Sequence, residues 1–295
     1  MVGEVEPVVA ANTLLVAGVR DEWSLGWSAA NAWLQADELN DAIVTVRSDE
    51  AADFIKERKS GFAEGRLQYG FIDWAEDTAS DTLARFLNEH FGKERKLAGV
   101  VHSVAHADKQ TFRKPAHDVR LAHYAEAFNV SVLSAVRLIQ ATHAHMKPNA
   151  GFVTFGFGSP KERVEGYGGP MAVSKSALGQ LIVEMAGSLG SKENPVRTAE
   201  IIPGYIPTRS GTAVAMINRA RSREVEAGFV KGSMLPETSS ARQTRSAGLV
   251  TVRFMIGPEF ADSTGITLPV DAGWSINRAD LFVPSQRVKT TPTAE

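Results

Sequence analysis

The stretch Thr13-Leu-Leu-Val-Ala17-Gly18-Val-Arg-Asp-Glu-Trp-Ser24-Leu25-Gly26 decides the fold. It opens on a mostly apolar run, which is typical of a strand buried on both faces of a parallel sheet. A glycine directly after such a strand lets the backbone approach a phosphate, and the next helix presents its N–H groups and positive dipole end to the same anion. Gly18 and Ser24 therefore indicate a nucleotide site, although the spacing departs from G-x-G-x-x-G. The alternative is a plain strand-to-helix turn with Ser24 as its N-cap.

Six further apolar runs follow along the chain, and segments with helical spacing separate them. One such segment places Val173, Ala177, Leu181 and Met185 on a single helix face. Regular alternation of strand and helix predicts the α/β class, here a three-layer Rossmann fold with a doubly wound parallel sheet of about seven strands. The predicted strands are residues 13–17, 42–47, 67–72, 98–103, 151–156, 197–202 and 266–270.

The domain organisation follows from the same alternation. The length alone would allow two domains, but no linker or repeat interrupts the pattern. We expect a single dinucleotide-binding domain over residues 1–277, with a helical substrate lid around 209–242, where the alternation breaks. Residues 278–295 form a polar C-terminal tail.

Composition excludes several classes of function. The 295 residues carry 32 basic and 34 acidic side chains, a net charge of −2 that favours no nucleic-acid partner. No cysteine is present, which excludes thiolate catalysis, Cys-bound zinc and iron–sulfur clusters. No apolar run is long enough for a membrane span, and the N-terminus does not resemble a signal peptide, so we expect a cytoplasmic protein. His143 and His145 are two residues apart and diverge on a helix, so no metal site is predicted.

Five segments between about residue 12 and 277 stand in a characteristic order: Gly18-Val19 with Ser24-Leu25-Gly26-Trp27, Val101-His102-Ser103-Val104-Ala105, Asn129-Val-Ser131, Pro203-Gly204-Tyr205-Ile206-Pro207-Thr208 and Val270-Asp271-Ala-Gly273-Trp-Ser-Ile276. Together they resemble the enoyl-acyl-carrier-protein reductases of the short-chain dehydrogenase/reductase superfamily. The resemblance implies a Rossmann fold that binds NAD(P)(H) and a homo-oligomer, often a tetramer.

The resemblance also implies which residues meet the cofactor. Asp73 corresponds to the residue near the adenine, or is a simple N-cap. Arg47 and Ser48 end the second strand, close to the adenosine ribose, where an Arg pairs with the 2′-phosphate of NADP and an acid favours NAD. We therefore expect NADPH, with NADH open because Asp49 and Glu50 follow at once. The other implied contacts are Gly18, Ser24, Leu25, Ser103, Ala105, Lys175, Pro203, Gly204, Ile206 and Thr208.

The catalytic motif departs from the family. Its pattern is Tyr, six residues, then Lys, in which the phenol stabilises the enolate and the Lys orients the ribose and lowers the phenol's pKa. Here Tyr167 precedes Lys175 by one residue more than that pattern, and Met171 occupies the tyrosine position of the wider superfamily. The Gly-Gly-Pro that follows Tyr167 either lets the loop bulge and restores the phenol's position or leaves the phenol displaced. A second aromatic hydroxyl, which the resemblance implies about ten residues before the family tyrosine, is missing, and Phe155-Gly156-Phe157-Gly158 occupies that place.

Tyr167 and Lys175 are the predicted catalytic pair, and Asn129 is a candidate for a water-mediated proton relay toward Lys175. Tyr205 and Tyr124 are alternative acids. The predicted reaction is NAD(P)H-dependent reduction of the C=C bond of an enoyl thioester or a related conjugated carbonyl, linked to a carrier protein or CoA. The alternatives are a ketone or imine reductase, and a non-redox enzyme or cofactor-binding protein that has lost the acid.

Overall fold

Seven parallel strands form one sheet in the order β3-β2-β1-β4-β5-β6-β7. The structure, a computed structural model, describes residues 12–91, 96–112, 114–157, 166–191, 193–217, 222–235 and 238–277. The order reverses direction at β1, so a crevice opens there at the carboxyl ends of the strands. The strands are β1 Asn12–Ala17, β2 Asn40–Val46, β3 Leu67–Phe71, β4 Leu97–His102, β5 Met146–Phe155, β6 Arg197–Pro203 and β7 Ile266–Val270.

Helices cover both faces of this sheet, which confirms the predicted α/β class and doubly wound fold. They are α1 Leu25–Ala36, α2 Asp49–Lys59, α3 Ala79–Phe91, α4 Leu121–Phe128, α5 Ser134–Thr142, α6 Gly169–Leu189, α7 Arg209–Ile217, α8 Ser222–Gly232, α9 Ser240–Ile256 and α10 Trp274–Asn277. A π-helical turn, Asn129–Leu133, joins α4 to α5. Within the described residues, no helix is both long and apolar enough to cross a membrane.

The first strand divides its side chains between two apolar cores. Leu14 and Val16 pack in the core that α1 and α9 cover, whereas Leu15 and Ala17 pack in the core beneath α3, α5 and α6. All four are fully buried. The near-continuous apolar run at residues 13–17 follows from this two-sided burial.

The seven predicted strands are all present, and one boundary differs by more than two residues. β5 begins at Met146 rather than at Gly151, because Met146 pairs with Leu97 before the register shifts. Lys147-Pro148-Asn149 has the composition of a turn, and Asn149 adopts a positive φ of 64°. The backbone N–H of Asn149 donates to Pro195 O at 2.7 Å, which ties this irregular entry to the start of β6.

The predicted lid region contains α7 and α8. Val214, Val225 and Phe229 from these helices are buried against Tyr205 and Trp274 in a third apolar cluster. Residues 218–221 and 236–237 of the lid, and the tail 278–295, lie outside the described residues.

Candidate active site

A cavity of about 580 Å³ opens at the carboxyl ends of β1, β2, β4, β5 and β6. Its wall includes every residue that the sequence predicted to contact a cofactor, from Gly18 in the first turn to Thr208 before α7. It also includes Tyr167. Side chains distant in the sequence meet here because parallel strands present their carboxyl ends at one edge of a sheet.

The turn after β1 has no room for a side chain. Gly18 adopts a φ of +90°, and a Cβ at this position would lie 2.6 Å from Ser103 O and 2.8 Å from Val104 Cγ2. Its N–H donates to Thr45 Oγ1 at 3.1 Å, and the Trp74 indole donates to the same oxygen at 2.9 Å. Neighbouring β2 and the loop after β3 therefore hold the turn in place, and it leaves a bare backbone surface toward the cavity.

The helix that follows begins at the cavity wall. The Ser24 hydroxyl accepts from Trp27 N at 3.2 Å and donates to Asp21 O at 2.8 Å, so Ser24 is the N-cap of α1. Ser24 and Leu25 also line the cavity, and the first turn of α1 carries no acidic residue. The two interpretations of Ser24 are thus compatible, and this bare turn followed by a helix N-terminus fits the pyrophosphate of a dinucleotide.

Residues of mixed charge lie at the β2 end of the cavity. Arg47 is exposed and lines the wall, as do Ser48, Glu50 and Asp73. The Ser48 hydroxyl accepts from Ala51 N at 3.3 Å and caps α2. Asp73 Oδ1 accepts from Ala75 N at 3.0 Å. A guanidinium and two carboxylates therefore share the place where an adenosine ribose would lie.

Two loops form the opposite wall. Ser103 and Ala105 follow β4, and Pro203, Gly204, Ile206 and Thr208 follow β6; all six line the cavity. The Thr208 hydroxyl accepts from Gly211 N at 3.0 Å and so begins α7. A methyl group on Gly204 would overlap the Phe229 ring, because α8 packs directly on this loop.

Lys175 reaches the cavity from the second turn of α6. Its ammonium donates to Phe155 O at 2.6 Å, at the end of β5. Burial lowers the pKa of Lys175 to about 8, and the carboxylate of Glu200 opposes that effect. The side chain therefore changes charge close to neutral pH and holds its position through one backbone carbonyl.

Tyr167 lies on the same wall, beside Met171. Its ring packs against Phe157 with centroids 4.6 Å apart and planes tilted by 38°. Burial raises the pKa of the Tyr167 phenol well above its usual value. The hydroxyl is therefore protonated at neutral pH and can donate a hydrogen bond.

Gly168 and Gly169 determine the path of the backbone between Tyr167 and Lys175. Gly168 adopts a φ of +81°, and a Cβ there would approach Phe112 Cα at 3.3 Å. A Cβ on Gly169 would lie 2.6 Å from the Tyr124 hydroxyl. Tyr124 is not among the cavity residues, and its hydroxyl donates to Ala116 O at 3.0 Å. Of the alternative acids, only Tyr205 lines the cavity, where it is 3% exposed.

The structure does not bring Asn129 to the cavity, so the proton relay predicted for it has no support in this geometry. Its amide nitrogen donates to Ala75 O at 3.0 Å, and its amide oxygen accepts from Arg137 at 2.7 Å. The π turn that begins at this residue directs the next residue, Val130, into the wall instead.

His102 is a structural residue inside the sheet. It is fully buried, and its two ring nitrogens contact Thr154 Oγ1 at 3.1 Å and Ser134 Oγ at 2.7 Å. Burial, together with the charge of Lys175, lowers the pKa of His102 to about 3. The ring is therefore neutral at physiological pH.

Sequence reasoning missed Glu200 on β6. It is 3% exposed, and burial raises the pKa of its carboxyl while Lys175 and a hydrogen bond from Thr267 lower it. The signal was present in the sequence, because an acid inside the strand Arg-Thr-Ala-Glu200-Ile-Ile-Pro is exceptional in a buried parallel strand.

Sequence reasoning also missed a small cluster of potential metal ligands beside the cavity. The donor atoms of Asp108, His123 and Glu126 lie within 4.8 Å of one another. His123 Nδ1 lies 3.5 Å from Asp108 Oδ2, and His106 Nε2 lies 3.2 Å from Glu126 Oε1. All four side chains are partly exposed, and each contact is also an ordinary ion pair once the His is protonated.

Comparison with known proteins identifies the same family as the motifs. The family model described as enoyl-(acyl carrier protein) reductase matches residues 18–275. An enoyl-acyl-carrier-protein reductase (NADH) of Rickettsia felis is 22% identical over 200 residues, which cover 68% of this chain and 73% of that protein. One from Mycobacterium avium is 25% identical over 169 residues, covering 54% and 62% of the two chains.

Solved structures share the fold at low identity. The enoyl-acyl-carrier-protein reductase (NADH) of Aquifex aeolicus superposes with a TM-score of 0.75 at 21% identity, over 90% of this chain and 98% of its own. The Bacillus cereus enoyl-acyl carrier protein reductase, solved with NADP+ and indole naphthyridinone, has a TM-score of 0.75 at 20% identity, over 90% and 97%. Because the family model spans most of the chain, from the first glycine turn to the last strand motif, this protein belongs to the enoyl-acyl-carrier-protein reductase family of the short-chain dehydrogenase/reductase superfamily.

Proposed function

We propose that the chain is an NAD(P)H-dependent oxidoreductase that reduces the C=C bond of an enoyl thioester or a related conjugated carbonyl. One observation carries the proposal: a single cavity joins the bare turn at Gly18, the ammonium of Lys175 and the phenol of Tyr167. Membership of the family supports the same reaction.

The cavity residues divide between the parts of a dinucleotide. Gly18, Ser24 and Leu25 would hold the pyrophosphate, and Asp73 the adenine. Ser103, Ala105 and Lys175 would hold the nicotinamide ribose. Pro203, Gly204, Ile206 and Thr208 would hold the nicotinamide and the pyrophosphate from the other side. When bound, the reduced nicotinamide supplies a hydride to the β-carbon of the substrate.

Tyr167 would act on the substrate oxygen. Its neutral hydroxyl donates a hydrogen bond to the thioester oxygen and stabilises the negative charge that develops there. Lys175 provides positive charge on the same wall, which favours that charge and orients the ribose hydroxyls. A proton from solvent completes the reduction at the α-carbon.

The lid favours an apolar substrate. Val214 lines the cavity, and Phe229 packs on the loop at Gly204. The curated relatives are named for acyl-carrier-protein substrates, so we infer an acyl chain carried by such a protein or by CoA.

NADPH is the cofactor that we infer at the ribose end. Arg47 is exposed on the wall, in reach of a 2′-phosphate, while Glu50 on the same wall favours NADH. The relatives are named with NADH, and one solved neighbour carries NADP+.

Tyr205 supports the second candidate, a ketone or imine reductase. Its ring lines the same cavity from the loop after β6 and provides a second phenol there, besides that of Tyr167. Turnover of ketones without turnover of enoyl thioesters would favour this reading. We further infer a homo-oligomer, a tetramer by family resemblance, and a cytoplasmic location.

The test is NADPH oxidation in the presence of crotonyl-CoA, followed at 340 nm. We expect turnover by the wild type and its loss in Tyr167→Phe. Tight dinucleotide binding without hydride loss to any acceptor would instead indicate a non-redox or binding function. Failure to bind any dinucleotide would overturn the proposal.

A further inference from the structure

A row of polar side chains crosses the buried part of the sheet. His102 on β4 is in register with Thr154 on β5, Thr154 with Glu200 on β6, and Glu200 with Thr267 on β7. Residues in one register row of a parallel sheet point to the same face. His102, Thr154 and Glu200 are buried, whereas Thr267 lies on the last strand and is exposed.

The fold makes room for the carboxylate of Glu200. A Cβ on Gly179 would lie 2.8 Å from its Oε2, and a Cβ on Gly156 would overlap its Oε1. Thr267 donates to Oε2 at 3.5 Å. Burying a carboxylate costs free energy unless a positive charge lies nearby. Since two glycines leave space for this carboxylate inside the protein, we expect a cationic group close to it.

Lys175 is that partner. Its ammonium donates to Phe155 O, and the next residue, Gly156, is the one that packs against Glu200. Gly179 lies four residues, about one helical turn, after Lys175 on α6. The Glu200 carboxylate therefore lies between the end of β5 and the face of α6, the same two elements that hold the Lys175 side chain.

We propose that Glu200 is a positioning residue that acts through Lys175: its carboxylate keeps the ammonium charged and directed at the cavity. The proposal rests on the function proposed above, in which Lys175 orients the ribose. The group that supports Lys175 would then be a side chain of β6. Asn129, which the sequence predicted to connect to Lys175 through a water, bonds to other residues.

The electrostatics agree in direction. Burial lowers the pKa of Lys175, and Glu200 raises it. Two other titratable groups face Lys175 from the elements around it, His102 from β4 and Tyr167 from the loop before α6. Both are neutral near pH 8, because burial lowers the pKa of the first and raises that of the second. Among these neighbours, Glu200 is the group that supplies negative charge.

The test compares Glu200→Gln with Glu184→Gln, which removes the same charge from the exposed side of α6. Lysines are reductively dimethylated with ¹³C, and the Lys175 signal is assigned by its loss in Lys175→Arg. In the free protein we expect the Lys175 titration midpoint to fall by about one pH unit in Glu200→Gln. Glu184→Gln should leave it unchanged. A Glu200→Gln midpoint equal to that of the wild type would overturn the proposal.

Two further measurements keep the test decisive. Thr267→Val at the exposed edge leaves the buried residues intact and should lower the Lys175 titration midpoint by a smaller amount. If Glu200→Gln does not fold, Thr267→Val decides the question. An unchanged midpoint in that variant would then refute the pairing. In the holoenzyme, the alkaline limb of the pH–rate profile should shift with the midpoint. Because the titration needs no substrate, absence of enoyl reduction would count against the function alone.

Discussion

The rings of Phe157 and Tyr167 pack against each other in a tilted arrangement, with centroids 4.6 Å apart and planes at 38°. The family resemblance predicts a second aromatic hydroxyl about ten residues before the family tyrosine, where this chain has Phe155-Gly156-Phe157-Gly158, so the aromatic pair contains one hydroxyl. Phe157 therefore packs on one side of the Tyr167 ring. Tyr167 lines the cavity, as do Met171 and Lys175.

Tyr167→Phe should reduce kcat for enoyl reduction on the order of 10²-fold, because the substrate oxygen loses its hydrogen-bond donor. Cofactor affinity should change little, since the ring and its packing remain. Steady-state kinetics with crotonyl-CoA measure the first effect and fluorescence titration the second. Tyr205→Phe is the matched control; if it loses kcat and Tyr167→Phe does not, Tyr205 is the acid.

Gly18→Ala should weaken dinucleotide binding at least about 100-fold, because the new methyl would fill the space beside Ser103 O and would strain a positive φ. Isothermal titration of NADPH provides the measurement. Gly187→Ala on α6 meets nothing within 4 Å and should bind NADPH as the wild type does. Equal affinity in the two variants would show that the turn does not approach the cofactor.

Arg47→Gln should raise the dissociation constant of NADPH at least about tenfold and leave that of NADH unchanged, because a charge-assisted hydrogen bond to the 2′-phosphate is lost. Glu50→Gln serves as the opposite control and should favour NADPH. Titration of each variant with NADPH and with NADH provides the measurement. If Arg47→Gln weakened the binding of both dinucleotides equally, Arg47 would not recognise the 2′-phosphate.

Affinity for NADPH should fall as the pH rises through about 8, since Lys175 is charged below that value and neutral above it. The reason for the low value is burial, which disfavours the ammonium. Lys175→Arg keeps its charge over this range and should remove the alkaline loss. The check is the pH dependence of the dissociation constant in both proteins; parallel curves would exclude Lys175 as its source.

Treatment with a chelator should leave enoyl reduction unchanged, because no step of the proposed reaction uses a metal. Activity after dialysis against EDTA measures this. A loss that Zn²⁺ restores would contradict the expectation, and the cluster of Asp108, His123 and Glu126 would then be the first place to look. His123→Ala would abolish that rescue, while His117→Ala, at another exposed His–carboxylate pair, would not.

The sequence predicted the sheet well because burial on both faces imposes a recognisable pattern. The runs at Thr13–Ala17 and Ile266–Val270 match strands almost to the residue. The late start predicted for β5 arose because Lys147-Pro148-Asn149 has the local chemistry of a turn, which pairing with β4 overrides.

The sequence predicted the site where a motif specifies backbone geometry. It did not do so where the result depends on which face of a helix a side chain occupies. Gly18 and Gly204 line the cavity because bare backbone is needed there. Asn129 does not, because its side chain bonds to Ala75 and Arg137, whereas Val130 lines the cavity. The sequence did not identify Glu200, because Lys175 lies on α6, which packs against β6. No local sequence pattern encodes a contact between a helix and a strand.

The contact of Phe229 with Gly204 has an evolutionary consequence. Phe229 belongs to the same apolar cluster as Val214, which lines the cavity, and it also packs on the Gly204 backbone that we propose to contact the cofactor. A larger side chain at 204 would require a smaller one at 229, and the two positions should covary among relatives. Selection for a new substrate length in this lineage would therefore act on cofactor binding at the same time.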